Sequence, residues 1–308
     1  MTTQKTFQIA KGLSDQRLDR VLPILLGLSR KKVKTLLDGG RIFINGRKVV
    51  IASWMTKSGD KIEVASDEGA VPTPEAMKYF LKIVHEDPNL LVIEKDAGIG
   101  CEPSTVATRP SIVSIINGYL KRKYPHLKHH YLGLVHRLDR DTSGLMVYTK
   151  TKDANKIADQ FKHHTIKRKY LAVVAGRVSK DQDRIEGFLK KSDLLKGGKK
   201  VALGTAASGQ KAVTDYRVLE RYGHATLIEI ALNTGRTHQI RVQMASIGHP
   251  VLGDRIYGHK QDTIRFSRQA LHAGYLKFHH PITGQKMEFV SDLPKDMRKL
   301  VDRLRLQA

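Results

Sequence analysis

The chain has 308 residues, and its 54 Lys and Arg against 30 Asp and Glu give a net charge of +24 at pH 7. An imbalance of this size is typical of proteins that bind a polyanion, and since only 6% of the residues are aromatic, we expect phosphate contacts along a structured nucleic acid rather than base stacking on single strands. No stretch approaches the roughly 20 apolar residues of a membrane helix, which argues against an integral membrane protein.

The single cysteine, Cys101, excludes an internal disulfide and a cysteine metal cluster, and it suits a reducing compartment. The N-terminal residues lack the apolar run of a secretory signal. We therefore expect a cytoplasmic protein of two domains, one of them small, without a membrane partner. Nothing in the sequence requires more than a monomer.

Residues 13–66 have the pattern of a small α/β domain. Apolar residues recur at helical spacing from Arg17 to Leu26, and a second helix is predicted to follow Ser29, a good N-cap, and to end at Gly39. Short strands separated by turns are predicted next, at residues 41–45, 48–52 and 61–65.

This pattern, which includes "RLDRVLPILLGLSRKKVKTLLDGGRIFING", resembles the small RNA-binding domain of the S4 type. Residues 1–66 hold 13 Lys and Arg against 5 Asp and Glu. The resemblance implies that a set of basic residues lines an RNA backbone: Arg30, Lys31, Lys34 and Arg41. The alternative is a basic helix face that only contacts solvent.

A segment with Gly69, Pro72 and Pro74 and without periodicity follows the small domain. We predict a linker over residues 67–80, and a second domain over residues 81–308. Its predicted strands lie at residues 81–84, 90–95, 213–220, 225–232 and 271–280. Its predicted helices begin after Ser111, Asp153, Thr237 and Pro294.

Two further segments of the second domain carry notable side chains. Residues 190–210 are rich in Lys and Gly and predict a mobile loop. His126, His129 and His130 form a cluster, but since no carboxylate or cysteine accompanies them, we expect no metal site there.

A charged segment lies between two apolar runs of the second domain: "HRLDRDTSGL", residues 136–145. Both flanks are typical of strands, so its charged centre is predicted to be a bend between buried segments. Charges at such a place are costly unless they are paired or used. Asp139 stands between Arg137 and Arg140, which should hold it ionised. The segment is therefore either a structural ion pair at a sheet corner or the site of a carboxylate nucleophile.

The segment "TGRTHQIR", residues 234–241, places two arginines and a histidine at the start of a helix. The unpaired N–H groups of a helix start attract anions, and the arginines strengthen that attraction. Thr237 is the predicted N-cap.

Four motifs in order, "HRLDRDTSGL", "KRKYLAVVAG", "TGRTHQIRVQMASIGHPVLGD" and "LHAGYLKFHHPITG", resemble the RluA-type pseudouridine synthases over residues 81–295. The resemblance implies an α+β fold, a mixed, mainly antiparallel sheet with flanking helices and a central catalytic cleft. One departure is Asp96, where family members commonly have proline after the lysine. We expect this departure to leave the chemistry untouched.

The resemblance also implies the roles of single residues. Asp139 matches the aspartate nucleophile, and Arg241 matches the arginine that pairs with it. Arg137 matches the arginine that helps to displace the target base, and Tyr170 matches the tyrosine packed against the flipped uridine. The implied reaction breaks the bond between ribose and N1 of uracil and rejoins the uracil through C5, so no cofactor and no metal is expected.

Other functions remain open from the sequence alone. A hydrolytic RNA glycosylase would also use Asp139, with Asp141 as a second carboxylate. A non-catalytic RNA-binding or ribosome-assembly factor would need no nucleophile. Among RNA targets, the resemblance favours large-subunit ribosomal RNA, with transfer RNA as the alternative.

Overall fold

A computed structural model of the chain describes residues 5–38, 40–49, 51–65, 81–102, 111–127, 129–192, 200–259 and 264–307. The predicted linker, residues 67–80, lies outside the described residues. The chain divides into two compact units, of which one comprises Met1–Phe80 with Gly100–Leu127 and the other Leu81–Ile99 with Lys128–Ala308. Each unit has a sheet of its own.

The described part of the first unit contains a small antiparallel sheet and three α-helices. Its elements are β1 (Lys5–Gln8), α1 (Leu18–Leu26), α2 (Arg30–Asp38), β2 (Ile42–Ile44), β3 (Arg47–Val49), β4 (Lys61–Val64) and α3 (Ile112–Lys123). The strands are ordered β1-β4-β2-β3, and β1 was not predicted. Ser29 and Ser111 each accept a hydrogen bond from the backbone N–H three residues on, as predicted for N-caps.

The second unit is built on a long mixed sheet. Its elements are β5 (Lys82–Glu86), β6 (Leu90–Lys95), β7 (Gly133–Leu134), β8 (Ser143–Thr149), α4 (Ile157–Lys162), β9 (Lys167–Ala175), β10 (Gln182–Ser192), β11 (Lys200–Gly204), β12 (Gln210–Arg221), β13 (Ala225–Leu232), α5 (Gln239–Ser246), β14 (Leu271–His279), β15 (Lys286–Val290) and α6 (Lys295–Arg305). Among the described residues, the sheet has 11 strands, ordered β11-β10-β12-β13-β9-β14-β8-β6-β5, with β15 on β14 and β7 on β8.

Within the described residues, β14 and β8 form the one parallel pair of this sheet, and all other pairs are antiparallel. The predicted mixed, mainly antiparallel sheet is therefore confirmed. The parallel pair depends on a close approach at Gly144, where a Cβ atom would lie 2.3 Å from the carbonyl oxygen of Ala273. Gly144 also has φ +123°, which side chains rarely tolerate. The bend that contains Asp139 therefore ends where the chain enters the centre of the sheet.

Three local predictions in this unit were wrong. Residues 190–192 and 200–204, predicted as a mobile loop, pair as the β10–β11 hairpin, because its backbone groups bond across the strands and Val201 is buried. Thr237 is not an N-cap, since α5 begins one residue later, after His238 with φ +55°. Asp153 lies in a 3-10 turn, where Thr151 Oγ1 accepts the N–H of Ala154.

None of the helices in the described parts of the chain is long and apolar enough to cross a membrane.

Candidate active site

The bend between β7 and β8 is held from behind by a buried lysine. The side chain of Lys95 is fully buried, and its Nζ donates to the carbonyl oxygens of Asp96 (2.8 Å), Ile99 (2.9 Å) and Arg140 (2.9 Å). The N–H of Gly98 donates to the same Arg140 oxygen at 2.9 Å. The loop after β6 therefore fixes the backbone next to Asp139.

Asp96, the departure from the usual family motif, keeps this arrangement. Its carbonyl oxygen accepts from Lys95, and its carboxylate accepts from the exposed Lys82 at 2.8 Å. The carboxylate thus points to a surface lysine.

Asp139 forms an ion pair with Arg241, a residue 102 positions later in the chain. Nη1 of Arg241 lies 2.8 Å from Oδ2 of Asp139. The other edge of the guanidinium grips Asp254, with Nε 2.6 Å from Oδ2 and Nη2 2.8 Å from Oδ1. Arg241 is 4% exposed, so Asp254 holds it rigidly with one nitrogen left for Asp139.

The charges of this cluster are mutually stabilised. Burial by itself raises the pKa of Asp254, but the hydrogen bonds and positive charge of Arg241 outweigh it, so the pKa lies below the ordinary value of 3.8. Backbone N–H groups of Ile256 and Tyr257 add to this effect. Burial lowers the pKa of Arg241, but Asp254 and Asp139 raise it further. Arg241 and Asp254 are therefore both ionised at neutral pH.

A second set of contacts holds the bend from the side of β14. Nε2 of Gln269 donates to Oγ1 of Thr142 at 2.6 Å and lies 3.5 Å from Oδ2 of Asp139. Nη1 of Arg268 donates to the carbonyl oxygen of Asp141 at 3.1 Å. Arg268 is itself held by Asp296 of α6 at 2.6 Å. The position of Asp139 is thus set by three separate segments of the second unit.

His238 faces the other oxygen of Asp139. Its Nε2 lies 3.8 Å from Oδ1, and its Nδ1 lies 2.9 Å from the hydroxyl oxygen of Tyr257. Burial lowers the pKa of His238 more than the negative charge of Asp139 raises it, so the imidazole is neutral at pH 7.

These side chains line a cavity of about 310 Å³. The lining residues are Asp139, Arg140, Asp141, His238, Arg241, Gly253, Arg255, Ile256, Arg268 and Gln269. The lining has four arginines against two carboxylates, so the positive charge of the cavity favours a ligand that carries phosphate.

Arg137 and Tyr170 lie elsewhere around this cluster. Arg137 is exposed in the bend, and its charge contributes to the lowered pKa of His238. Tyr170 lies in β9 and is 6% exposed. Because side chains alternate along a strand, the ring of Tyr170 lies on the same face of the sheet as the side chain of Arg168. Arg168 in turn donates to the carbonyl oxygen of Thr234, which precedes α5. Tyr170 therefore faces the side of the sheet that carries the segment of Arg241.

A larger cavity, of about 530 Å³, is bordered by the opposite face of the sheet and α6. Tyr170 borders it as well, together with Lys169 and Leu171, but alternation turns the ring of Tyr170 the other way. Two of its charged pairs are Lys169 with Glu229 at 3.2 Å and Arg305 with Asp302 at 3.4 Å. Because Asp139 and Arg241 line the smaller cavity, that cavity is the candidate site.

His136, the first residue of the motif, is a structural histidine. Burial lowers its pKa to about 3, so the ring is neutral, and Nε2 accepts the N–H of Val147 at 3.0 Å. Its ring stacks on Phe161. The residue thus fixes the bend against β8.

The predicted RNA contacts of the first unit differ in their surroundings. Arg30 and Lys34 are exposed on α2, and they border a basic cavity of about 350 Å³ to which Arg17 and Arg20 also contribute. Lys31 lies in the same helix. Arg41 is half-buried, and its Nε donates to the carbonyl oxygen of Ala65 at 3.0 Å, which gives it a role in the fold.

Comparison with known proteins assigns this arrangement to a family. A family model described as RNA pseudouridylate synthase matches residues 89–246, and an S4 domain model matches residues 16–62. The chain belongs to the RNA pseudouridylate synthase family. It is thus an RNA pseudouridine synthase, an isomerase, with an S4 RNA-binding domain ahead of its catalytic domain.

Related proteins match this synthase over nearly its whole length. It is 38% identical to the ribosomal large subunit pseudouridine synthase D of Zymomonas mobilis, over 92% of each chain. It is 37% identical to a Bacillus subtilis protein named as an uncharacterized RNA pseudouridine synthase, over 90% of each chain. The solved structure of human RNA pseudouridylate synthase domain containing 4 shares the fold, with a TM-score of 0.60 and 24% identity over 73% of this chain and 93% of that one.

Sequence reasoning missed several residues that hold the surroundings of Asp139. Lys95, Asp254 and Gln269 are far from Asp139 in sequence, and each acts through a hydrogen bond within the fold. Asp254 and His238 stand inside a motif that was singled out, "TGRTHQIRVQMASIGHPVLGD", so an acid 13 positions after Arg241 was the available signal. Gln269 stands outside the four motifs, and the sequence offers no signal for it.

Proposed function

We propose that this synthase isomerises uridines in large-subunit ribosomal RNA, with Asp139 as the nucleophile. The support for the target is the relative from Zymomonas mobilis, whose name states that RNA. The observation that carries the role of Asp139 is its ion pair with the buried Arg241 at 2.8 Å, at the wall of a cavity rich in arginine. The pair fixes the carboxylate at the wall of the cavity, in the position that a nucleophile requires.

The two oxygens of Asp139 have different surroundings, and we propose that Oδ1 is the reacting atom. Arg241 and Gln269 both engage Oδ2. Among the described residues, no hydrogen bond engages Oδ1, which therefore keeps its lone pairs for attack. The same geometry of Oδ1 serves an attack on the ribose and an attack on the base.

Base displacement falls to Arg137 and stacking to Tyr170 in this proposal. Arg137 is exposed at the bend, so its guanidinium can enter a helix that docks on the cavity. Extrusion of a base costs a few kcal/mol, and stacking on an aromatic ring returns about 1–3 kcal/mol. A ring buried on the correct face of β9 suits that purpose.

RNA binding is shared with the small domain in this proposal. We assign residues 13–66 to the RNA-binding domain, 67–80 to a linker and 81–308 to the catalytic domain. Arg30, Lys31 and Lys34 of α2 contact the phosphate backbone, and Arg41 acts at the edge of that surface while it holds Ala65. We further propose a cytoplasmic monomer, because a single cysteine and a ribosomal substrate agree with that setting.

Pseudouridine mapping of ribosomal RNA tests the target and the nucleophile together. Cells that lack the protein should lose pseudouridine at defined large-subunit positions, and the wild-type gene should restore them. Asp139→Asn should restore none, although its RNA affinity stays within a few-fold, because the substitution preserves shape and removes only the charge. Loss of pseudouridine from transfer RNA alone would overturn the ribosomal target. Restoration by Asp139→Asn would overturn the nucleophile.

Deletion of residues 1–66 tests the role of the small domain. We expect weaker RNA binding and a shallower dependence of affinity on salt, since each lost phosphate contact lowers that slope by about 0.9. Unchanged affinity and slope would show that the domain does not contact this RNA.

A further inference from the structure

The isomerisation moves one proton as well as one carbon bond. When the bond from C1′ to N1 breaks, its electron pair stays on N1. When C1′ joins C5, that carbon still carries hydrogen, which must leave as a proton so that its electron pair restores the ring double bond. N1 takes a proton in turn. Atoms and charge therefore balance without any oxidant or reductant, but the proton needs a carrier.

Few groups around the cavity can carry a proton near neutral pH. The arginines that line it keep their protons, and the amide of Gln269 does not titrate. In the proposed function, on which this inference rests, Asp139 has served as the nucleophile and, once released, is a free carboxylate again. Of the described lining residues, the groups that can take a proton are therefore the imidazole of His238 and the carboxylates of Asp139 and Asp141, and a neutral imidazole is ordinarily the stronger base.

The surroundings of His238 favour it over Asp141. Among the described residues, one hydrogen bond holds its ring, between Nδ1 and the hydroxyl oxygen of Tyr257 at 2.9 Å. The N–H of Val201 donates to that same oxygen at 2.9 Å and so fixes the phenol. Nε2 lies 3.8 Å from Oδ1 of Asp139, beyond hydrogen-bonding distance but beside the proposed reacting atom.

The backbone supports this placement. His238 has φ +55°, a conformation that is uncommon outside glycine, at the position that precedes α5. Such strain is concentrated at functional sites, where the surrounding structure holds it. Here the side chain of Gln239 supplies that support, since its Oε1 accepts from the N–H of Arg236 and from Thr234 Oγ1.

The charge state of the ring also suits a carrier. Burial lowers the pKa of His238, and the charges of Arg241 and Arg137 lower it further, whereas Asp139 and Asp254 raise it. The ring is therefore neutral before the reaction, with a lone pair that can take a proton.

We propose that His238 carries the proton of the isomerisation. Once C1′ has joined C5 and Asp139 has left the substrate with the electron pair of its bond, Nε2 of His238 takes the proton from C5 while Nδ1–H donates to the oxygen of Tyr257. The resulting imidazolium gives a proton to N1, which restores neutral His238 and completes the pseudouridine.

A hydrogen isotope effect tests this role. The substrate is an RNA fragment whose target uridine carries deuterium at C5, and single-turnover rates are compared with those of the unlabelled fragment. For His238→Gln we expect a rate about 10²–10⁴-fold lower and an isotope effect larger than that of the wild type, because C5–H cleavage becomes slow. Tyr257→Phe leaves the imidazole of His238 in place but removes the hydroxyl group that Nδ1 contacts. We therefore expect a smaller loss of rate and an isotope effect between those of the wild type and His238→Gln.

Several outcomes would overturn the proposal. They are a wild-type rate for His238→Gln, a lower rate with an unchanged isotope effect, and an enlarged isotope effect in Asp141→Asn instead. RNA affinity and thermal unfolding report whether His238→Gln is folded. If it is not, Tyr257→Phe decides, and an isotope effect equal to that of the wild type counts against the role. Asp139→Asn separates the two proposals, since product from that variant would contradict the nucleophile and not the carrier.

Discussion

The buried pair of Arg241 and Asp254 provides the sharpest test of how the cavity is built. Asp254→Asn keeps the shape of the side chain but removes the charge that faces Nε and Nη2 of Arg241 at 2.6 and 2.8 Å. The guanidinium then stays buried with Asp139 as its remaining carboxylate partner. The side-chain amide of the introduced asparagine can also point its N–H donors at the N–H donors of Arg241, which lowers the stability of the fold further.

The size of the effect follows from burial. Breaking a buried ion pair from one side typically costs about 3–5 kcal/mol, and because Asp139 still faces Arg241 we expect a loss toward the lower end of that range. A protein is stable by only about 5–15 kcal/mol, so the variant should unfold at a much lower urea concentration. Since Arg241 is no longer held, we also expect a lower kcat for pseudouridine formation at a temperature where the variant is folded.

A matched ion pair on the surface serves as the control. Arg184 and Asp215 have the same bidentate chemistry, at 2.7 and 3.2 Å, but both side chains reach solvent. Asp215→Asn should change the urea midpoint only slightly and leave kcat unaltered, because water screens that pair. Equal losses of stability in the two variants would refute the reasoning from burial. A destabilised Asp254→Asn with normal kcat would refute the view that Asp254 positions Arg241.

Three further predictions follow from other contacts. Lys95→Met removes the Nζ donor from the carbonyl oxygens of Asp96, Ile99 and Arg140, of which Arg140 keeps the N–H of Gly98, so we expect a loss of unfolding free energy of roughly 1–3 kcal/mol for each oxygen left without a donor and a lower kcat; a normal kcat would show that the bend does not depend on Lys95. Gly144→Ala brings a Cβ to 2.3 Å from a backbone oxygen and should yield little folded protein, whereas Gly187→Ala, with nothing within 4 Å, should yield normal amounts; equal yields would contradict the close approach. The pKa of Asp254 is lowered by folding, so its stabilisation is complete above the unfolded value of 3.8 and is lost as pH falls through the folded value. Urea midpoints measured on acidification should therefore fall less steeply in Asp254→Asn, and parallel curves would contradict this.

Interactions between sequence neighbours were the most predictable part of the fold. Ser29 and Ser111 bond to an N–H three residues later, so the cap and its helix are visible in one short stretch. The same logic failed at Thr237, because the backbone there is shaped by Gln239, which bonds to Val213 and Thr214 on β12. The Lys- and Gly-rich composition of residues 190–210 likewise predicted a loop where β10 and β11 form a hairpin, because hydrogen bonds between the two strands stabilise it.

The motif "HRLDRDTSGL" shows where the sequence by itself was sufficient and where it was not. The sequence determined that a charged bend with Asp139 lies between two strands, since the apolar flanks and Gly144 are local features. Sequence neighbours suggested Arg137 and Arg140 as the residues that hold Asp139 ionised, and a family resemblance suggested Arg241. Only the tertiary structure decided that Arg241 makes the contact at 2.8 Å. Asp254 binds one edge of the Arg241 guanidinium and leaves Nη1 to contact Asp139. A contact between residues 102 positions apart depends on how strands and loops pack, and no pattern along the chain specifies it.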